Sequence, residues 1–353
     1  MQLTSPSLAA DNALEFEVIT AEGQFVTANA RENSDLYWAL KGGGPGAFAV
    51  VLSTTIATFN DLPSAGLILD INSTHTTDLE LFWSGVRLFS NYSISFADKG
   101  LYAYFGVRNL RLHVQPLLGI NQTAAQLNAT VKPLLDAFGK IGLNYTAVIK
   151  EFKSFFDLYI DVFEDETVGQ PSLTGGWTFT HDDMTANNNA IVDAYRNTLN
   201  NGGIVVGHIW DAGHGKGATD SAVNPRFRKS STKVIAALPV AANATLAQKA
   251  QAQNLLTNVI DEGLRKAGPN GCAYINEVHC CARVPRCGIL VADDAQADPL
   301  QPNWQRNFWG TNYPKLLEIR KKWDPKGVFY AISTPGTEDW EVIEFGTRLC
   351  KKL

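Results

Sequence analysis

The sequence predicts an α+β fold in which an antiparallel sheet is covered by helices on one face. Two observations carry that expectation. Strand-like stretches alternate with longer helical patterns along most of the chain, the mixture that segregates helices to one side of a sheet. The 353 residues are 45% hydrophobic and 18% charged, enough to bury a substantial core in one large domain or two. The 30 Lys and Arg are interspersed with 35 Asp and Glu, for a net charge of −5. That balance leaves no basic stripe for nucleic acid or an anionic lipid surface. No apolar run reaches the length of a membrane-spanning helix.

The elements follow in order. Residues 14–19 and 24–28 read as strands on either side of Ala21-Glu22-Gly23, a hairpin signal. Asn33 or Ser34 caps a short helix that runs to Lys41. Gly42-Gly43-Gly44-Pro45-Gly46 ends that helix, and residues 50–59 form a β-branched strand. Further strands are expected at 100–107, 175–181, 203–210 and 233–240, and helices at 123–139 and 246–267. Residues 313–323 form a last short helix, with Pro314 in its first turn and Asp324-Pro325 after its end. His208 and Trp210 on one strand line a pocket or, as strand residues more often do, pack into a core. No internal repeat or low-complexity tract is present.

Four runs stand out as motifs. The first is Ala10-Asp11-Asn12-Ala13-Leu14-Glu15-Phe16 with Val18-Ile19-Thr20-Ala21. The second is Asn33-Ser34-Asp35-Leu36-Tyr37-Trp38-Ala39-Leu40-Lys41-Gly42-Gly43-Gly44, with Phe48 and Val50-Val51 beyond. Its glycines let a backbone approach a phosphate closely and expose N–H groups to it, although a lone glycine-rich loop is more often a turn. The third, Cys272-Ala273-Tyr274-Ile275-Asn276-Glu277, places Tyr274 and Asn276 on one face of a strand. The fourth comprises Asn303-Trp304-Gln305, Phe308-Trp309-Gly310, Asn312-Tyr313, Leu316-Leu317 and Trp323-Asp324-Pro325.

Together these runs resemble the fungal-type, FAD-linked oxidoreductases of the berberine-bridge-enzyme kind, members of the vanillyl-alcohol-oxidase class with a PCMH-type FAD-binding domain. The resemblance implies a flavin domain built from both chain ends, residues 1–62 and 297–353, around a substrate domain at 63–296 with an antiparallel sheet and helices. It implies FAD as cofactor, with Gly42, Gly43, Gly44, Gly46, Phe48, Val50, Val51, Asn312 and Tyr313 at its binding site. It implies O2 as the electron acceptor, a small alcohol, sugar or specialised metabolite as substrate, and a secreted monomer. Tyr274 is then the base that takes a substrate hydroxyl proton, with Asn276 orienting the phenol or the substrate. A phenol with a pKa of about 10 needs a cation or hydrogen-bonded partner to serve as a base near neutrality; otherwise Tyr274 is a buried, satisfied tyrosine. Pro45, which removes a backbone donor, and Ala49, where glycine is usual, depart from the pattern.

Two further departures concern the frame. The family pattern passes from Asn-Glu directly to Ala-Asp-Pro, whereas here residues 278–296 intervene before Ala297-Asp298-Pro299. Val278 has GT-initial codons and Gln296 can be CAG, the borders of an in-phase intron. Within that stretch His279, Cys280, Cys281 and Cys287 invite a metal site, but adjacent cysteines rarely reach one ion and no C-x-x-C partner exists. Ahead of Ala10 the family carries a glycine-rich loop and a flavin-tethering histidine that residues 1–8 do not supply, which implies a shortened front. Gly213-His214-Gly215-Lys216-Gly217 lacks phosphate-loop spacing and reads as a surface loop.

Sequons at Asn72, Asn91, Asn121, Asn128, Asn144 and Asn243 are roughly twice the chance number and fit a secreted glycoprotein. The rival to the oxidase is accordingly an inactive fragment or a non-catalytic secreted glycoprotein of the same fold without flavin. A nicotinamide dehydrogenase is disfavoured by the lack of a G-x-G-x-x-G after a strand.

Overall fold

Two antiparallel sheets organise the chain, and a short closing helix ties its end back to its beginning. The computed structural model describes residues 8–72, 78–163, 171–212, 220–275, 298, 300–343 and 348–352. Asn276, the 278–296 stretch with its histidine and cysteines, and residues 213–217 lie outside the described residues.

After a single helical turn, α1 (Ala9–Asn12), the first sheet is formed by β1 (Ala13–Ile19), β2 (Phe25–Asn29) and β3 (Val50–Ile56) in the order β2-β1-β3. Helix α2 (Ser34–Leu40) packs against β2 and buries Leu36, Trp38, Ala39 and Leu40. Phe16, Val18 and Ala28 are buried in the same cluster.

The second sheet has seven strands: β4 (Ser64–Asn72), β5 (Tyr102–Arg108), β6 (Arg111–Ile120), β7 (Thr146–Phe152), β8 (Ser172–Thr180), β9 (Ile204–Ile209) and β10 (Ser230–Pro239). Their order is β7-β4-β6-β5-β9-β10-β8, and every pairing is antiparallel. Burial alternates along the central strands: Val205 and Ile209 are sealed, while Val206, His208 and Trp210 are half-buried on the other face. The sealed face lies against α3 (Leu79–Asp98), α4 (Ala124–Lys140), α6 (His181–Asn200) and the later α8 (Asp261–Ala267). On the opposite face the short α5 (Phe155–Val162) covers only the β4–β6 end. The α+β expectation holds.

Several helix starts follow from local chemistry. Thr123 opens α4 as a capping box with Gln126, its Oγ1 accepting from the Gln126 N–H at 3.2 Å. Thr180 and Asp183 do the same for α6. The expected helix at 246–267 divides into α7 (Leu246–Leu255), a π-helical turn at Leu256–Ile260, and α8. The π turn inserts a residue and re-aims the inward face. No residue of α7 is buried, whereas Leu256, Ile260, Asp261 and Leu264 are. Helix α9 (Tyr313–Trp323) matches its expected bounds and packs on α2. A two-strand ribbon, β11 (Trp340–Ile343) and β12 (Arg348–Lys351), follows it.

The re-aimed helix brings a carboxyl group against the back of β8. Asp261 is 1% exposed, and a Cβ on Gly175 would fall 2.1 Å from its Oδ2, so only glycine fits there. Burial, and then the neighbouring Asp298, push the Asp261 pKa well above 3.8, with Arg265 opposing. Because the folded pKa is raised, the unfolded chain ionises first, so this group's contribution is full below about pH 4 and is lost as pH rises towards the folded pKa. Asp261→Asn should therefore match the parent's melting temperature near pH 3.5 and exceed it increasingly towards pH 8. Thermal melts across that range check this, and a variant less stable than the parent at pH 8 would refute it.

Candidate active site

Tyr274 lies on a stretch that the rest of the fold clamps from three sides. Residues 271–274 run beside β8, the edge of the large sheet. Thr178 N donates to Cys272 O at 2.8 Å, and Cys272 N donates to Thr178 Oγ1 at 2.9 Å. A Cβ on Gly271 would sit 1.8 Å from Thr178 O, so this close approach requires glycine. From the other side, Ala273 N donates to Asn307 O at 3.1 Å, in the π-helical turn Gln305–Trp309 of the closing segment. Asn224 Nδ2 donates to the same oxygen at 3.0 Å, and Arg226 Nη1 donates to Gly271 O at 3.1 Å. Burial pushes the Cys272 thiol up to about 12, so it stays protonated and acts as packing.

The side chain of Tyr274 faces a narrow cavity between β8 and β10, lined also by Gly176, Thr178 and Lys233. Lys233 is 3% exposed, and its Nζ lies 4.4 Å from the centroid of the Tyr274 ring. Burial holds the Lys233 pKa well below its usual 10.5. Beside it, cross-strand pairing sets His208 opposite Lys233 and Tyr104 opposite His208. His208 Nδ1 is 2.8 Å from Tyr102 Oη, and its ring stacks on Trp210 at 5.6 Å. Burial, and then the charge of Lys233, push His208 down to about 3, so its imidazole is neutral through the physiological range. The aromatic contact continues from Trp210 to Phe227 at 5.5 Å and from Phe227 to Tyr274 at 5.1 Å. The half-buried face of the sheet thus carries an aromatic row that ends on Tyr274.

The glycine-rich loop has a different physical explanation from the one its composition suggests. A Cβ on Gly42 would strike Val223, one on Gly43 would meet Ala39 O and Leu316, and one on Gly44 would press on Trp309. These three glycines are needed by neighbouring protein atoms. Gly46 is exposed, and a Cβ placed on it would meet nothing within 4 Å. Phe48 is fully buried, while Val50 and Val51 are 50% and 36% exposed. The side chain of Asn312 donates to Val223 O at 3.0 Å, and Tyr313 Oη bonds Glu338. Both polar groups are therefore engaged within the protein.

For an FAD, then, the described residues offer the open strip at Gly46, Val50 and Val51 and the pocket of Tyr274 and Lys233. An exposed apolar strip and a cavity that holds a phenol and an amine are chemically compatible with a flavin and its substrate. Gly42, Gly43, Phe48, Asn312 and Tyr313 are engaged by other protein atoms. Among the described residues no group of three or more His, Cys, Asp or Glu side chains is arranged to hold a metal ion. Sequence reasoning did not single out Lys233, Thr178 or Asp261. Lys233 did leave a signal: it is a lone charge at the head of the apolar run Val234-Ile235-Ala236-Ala237-Leu238.

A second cluster holds the two sheets together. Arg228 Nη1 and Nη2 bond Asp11 Oδ2 and Oδ1 at 2.5 and 2.7 Å, and Nη2 also donates to Ser221 Oγ at 2.9 Å. The Asp11 side chain is 1% exposed. Trp38 Nε1 donates to Asp220 Oδ1 at 2.8 Å, and Lys41 Nζ donates to Asp220 O at 3.3 Å. Lys322 Nζ reaches Asp35 Oδ2 at 2.6 Å, docking α9 on α2.

The chain is similar to known flavin-linked oxidoreductases in sequence and in fold. The berberine and berberine-like family model matches residues 273–332. The FAD-linked oxidoreductase ZEB1 of Gibberella zeae is 32% identical over 352 residues, which are 99% of this chain and 58% of that protein. The FAD-linked oxidoreductase sor8 of Hypocrea jecorina is 32% identical over 99% of this chain and 57% of its own length. The crystal structure of the VAO-type flavoprotein MtVAO615 from Myceliophthora thermophila C1 superposes with a TM-score of 0.84 at 26% identity. That match covers 98% of this chain and 60% of the flavoprotein. The chain thus spans a little under three-fifths of the length of the curated relatives it matches.

Removing one partner of the Asp11–Arg228 pair strands a buried charge, which costs about 3–5 kcal/mol. Arg228→Met should lower stability by that amount in urea unfolding, and the double variant Arg228→Met with Asp11→Leu should regain a large part of it. Equal losses in the single and double variants would show that the pair itself contributes little.

Proposed function

The chain belongs to the fungal-type, berberine-bridge-like family of VAO-type, FAD-linked oxidoreductases, and we propose that it carries the substrate side of a flavin-dependent oxidase in which Tyr274 is the base. FAD, when bound, supplies the acceptor for a hydride from the substrate carbon, and O2 restores it. The chain's own residues deal with the proton. Removing hydride from a carbon that bears a hydroxyl leaves a protonated carbonyl unless the hydroxyl proton departs as well.

The observation that carries this reading is the position of Lys233 over the ring of Tyr274, its Nζ 4.4 Å from the centroid. Burial favours the uncharged amine of Lys233, which places a nitrogen able to accept or return a proton beside the phenol ring. That nitrogen is the partner the phenol requires. Thr178 holds the Cys272 backbone and Asn307 holds that of Ala273, which fixes the stretch leading into Tyr274. The aromatic row through Trp210 and His208 offers apolar faces to a substrate, and His208 remains uncharged there. Asn276, two residues on, is assigned the orienting role by the family motif alone. The substrate is an alcohol or a compound with a comparably activated C–H bond.

The second reading, a non-catalytic or flavin-free form, is favoured by one observation: Gly42, Gly43 and Phe48 are occupied by protein contacts. A visible spectrum separates the two readings, because flavin absorbs at about 450 nm. A chain that stays colourless after incubation with FAD would support the second. In a flavin-loaded preparation, Tyr274→Phe should slow anaerobic flavin bleaching by substrate by about 10²–10⁴-fold. Lys233→Met, which removes the amine beside the ring, should slow it less than Tyr274→Phe does. Unchanged rates in Tyr274→Phe would remove the residue from the mechanism.

We extend the proposal to secretion. Asn91, Asn121, Asn128, Asn144 and Asn243 are exposed, and Asn72 is half-buried at the end of β4. Expression through a eukaryotic secretory pathway should attach glycans at the five exposed sites, read as a mass loss on treatment with an N-glycosidase. A product without such a loss would contradict secretion of this chain as a glycoprotein.

A further inference from the structure

We propose that Asp261 and Asp298 share one proton and form a clasp that fastens the start of the closing segment to the α7–α8 helix and opens as pH rises. One face of that helix carries Gln253, Thr257, Asp261 and Arg265, at every fourth position. Asp298 and Gln301 lie along it. Asp298 Oδ1 accepts from Gln253 Nε2 at 2.8 Å, and the same nitrogen donates to Thr257 Oγ1 at 3.1 Å. One turn beyond Asp261, Arg265 Nη1 donates to Gln301 Oε1 at 3.2 Å, and its Nη2 donates to Thr257 O at 2.8 Å. Asp261 sits between these two fastenings.

Asp261, Asp298 and Gln301 are all buried, yet both oxygens of Asp261, Asp298 Oδ2 and Gln301 Nε2 make no hydrogen bond. Buried polar atoms are nearly always bonded, and two neighbouring carboxylates shut away from water do not both ionise. One proton answers both demands. An O–H on Asp261 donates to Asp298 Oδ2 and leaves the second Asp261 oxygen for Gln301 Nε2. The proton belongs on Asp261, because Asp298 Oδ1 already takes N–H bonds from Gln253 and from Leu300 at 2.9 Å, which favour its ionised form. Burial raises the pKa of both groups. The cation acting on both is Arg265, which also holds Glu262 Oε2 at 3.0 Å; the Gly176 N–H is the weakest influence on Asp261. From the other elements packed here, β8 brings no ionisable side chain, and α6 meets α8 at Ala194 and Asn197. A hard cation would need six or more oxygens, and among the described residues no third acid, histidine or cysteine joins the pair.

The clasp bears on both walls that hold the Tyr274 stretch. Asp261 lies behind Gly175, next to the Gly176 that lines the cavity. Asp298 O accepts from Gln301 N at 3.0 Å, Asn307 Nδ2 donates to Pro302 O at 2.7 Å, and Asn307 O accepts from Ala273 N. The folded pair keeps a proton that the unfolded chain gives up above about pH 4. Each pH unit above that lowers the folding constant about tenfold, until the folded pair ionises as well. The clasp is a property of the chain itself and does not rest on the role given to Tyr274 or on flavin.

Hydrogen exchange on the purified full chain, without flavin, tests this at pH 5 and pH 8. Protection factors at residues 300–307 of the parent should fall at least about tenfold between the two. In Asp261→Asn, whose amide donates to Asp298 at either pH, they should stay constant. Asp298→Asn keeps an oxygen for Gln253 and Leu300 and offers an N–H to an ionised Asp261, so its loss of protection should be smaller than the parent's. Equal protection of the parent at both pH values overturns the proposal, as does an Asp261→Asn variant that loses as much as the parent. A parent-like loss in Asp298→Asn would leave the proton on Asp261 alone and refute the sharing. A rise in melting temperature with millimolar calcium at pH 8, absent in Asp261→Asn, would assign the pair to a cation and overturn it too.

Discussion

The fold depends on a buried ion pair between residues 217 positions apart, Asp11 and Arg228. The apolar core that the two antiparallel sheets share is non-directional and does not by itself set one angle between them. A bidentate guanidinium–carboxylate contact does, because its planar fork accepts one geometry and both partners lose water when it forms. Around it, the loop that carries Asp220, Ser221 and Ala222 is stitched to the end of α2 by backbone and side-chain hydrogen bonds. The same loop then supplies Val223 against Gly42 and Asn224 against the π turn at Asn307. One short stretch thus registers the first sheet, the glycine-rich loop and the closing segment at once.

That registration is transmitted to Tyr274. The preceding Cys272 is held by β8 and Ala273 by Asn307, and Asn307 is positioned by Asn224 a few residues before Arg228. A change at the sheet-to-sheet junction therefore reaches the phenol through only two hydrogen bonds. The back of β8 is tuned as well. Gly175 leaves room for the Asp261 carboxyl behind the strand, while Gly176 and Thr178 line the cavity in front of it. A strand that presents glycine to both faces in succession lets helix and pocket approach closely from opposite sides. The same feature makes β8 sensitive to the charge on Asp261.

Proximity also explains why the lysine here is chemically unusual. An isolated amine on a central strand would be expelled by desolvation. Lys233 lies against the ring of Tyr274, which faces it across the cavity. The neutral His208 beside it adds no second positive charge. The proposed chemistry therefore rests on an electrostatic arrangement among β9, β10 and the 271–274 stretch, which come from three separate parts of the sequence.

By itself the sequence determined the α+β class, the first hairpin, the capped helix at Thr123, the closing helix and the motif residues through which the family is recognised. These are local properties: alternation, capping, glycine and proline punctuation, and unbroken runs of specific residues. It did not show why the glycines at 42–44 are there. Their composition suggested a phosphate cradle, and their nearest neighbours proved to be Val223, Leu316 and Trp309. Nor did it specify β4, β6, β7 and α6. The last is rich in asparagine and passes through a kink at Asn187, so its helical signal is weak until Ile191, Val192 and Tyr195 find the sheet. Only the tertiary structure paired Arg228 with Asp11, set Lys233 over Tyr274 and turned Asp261 inward through a π turn. Each of these depends on contacts between distant segments, and a contact of that kind leaves no periodicity in the sequence for local reading to find.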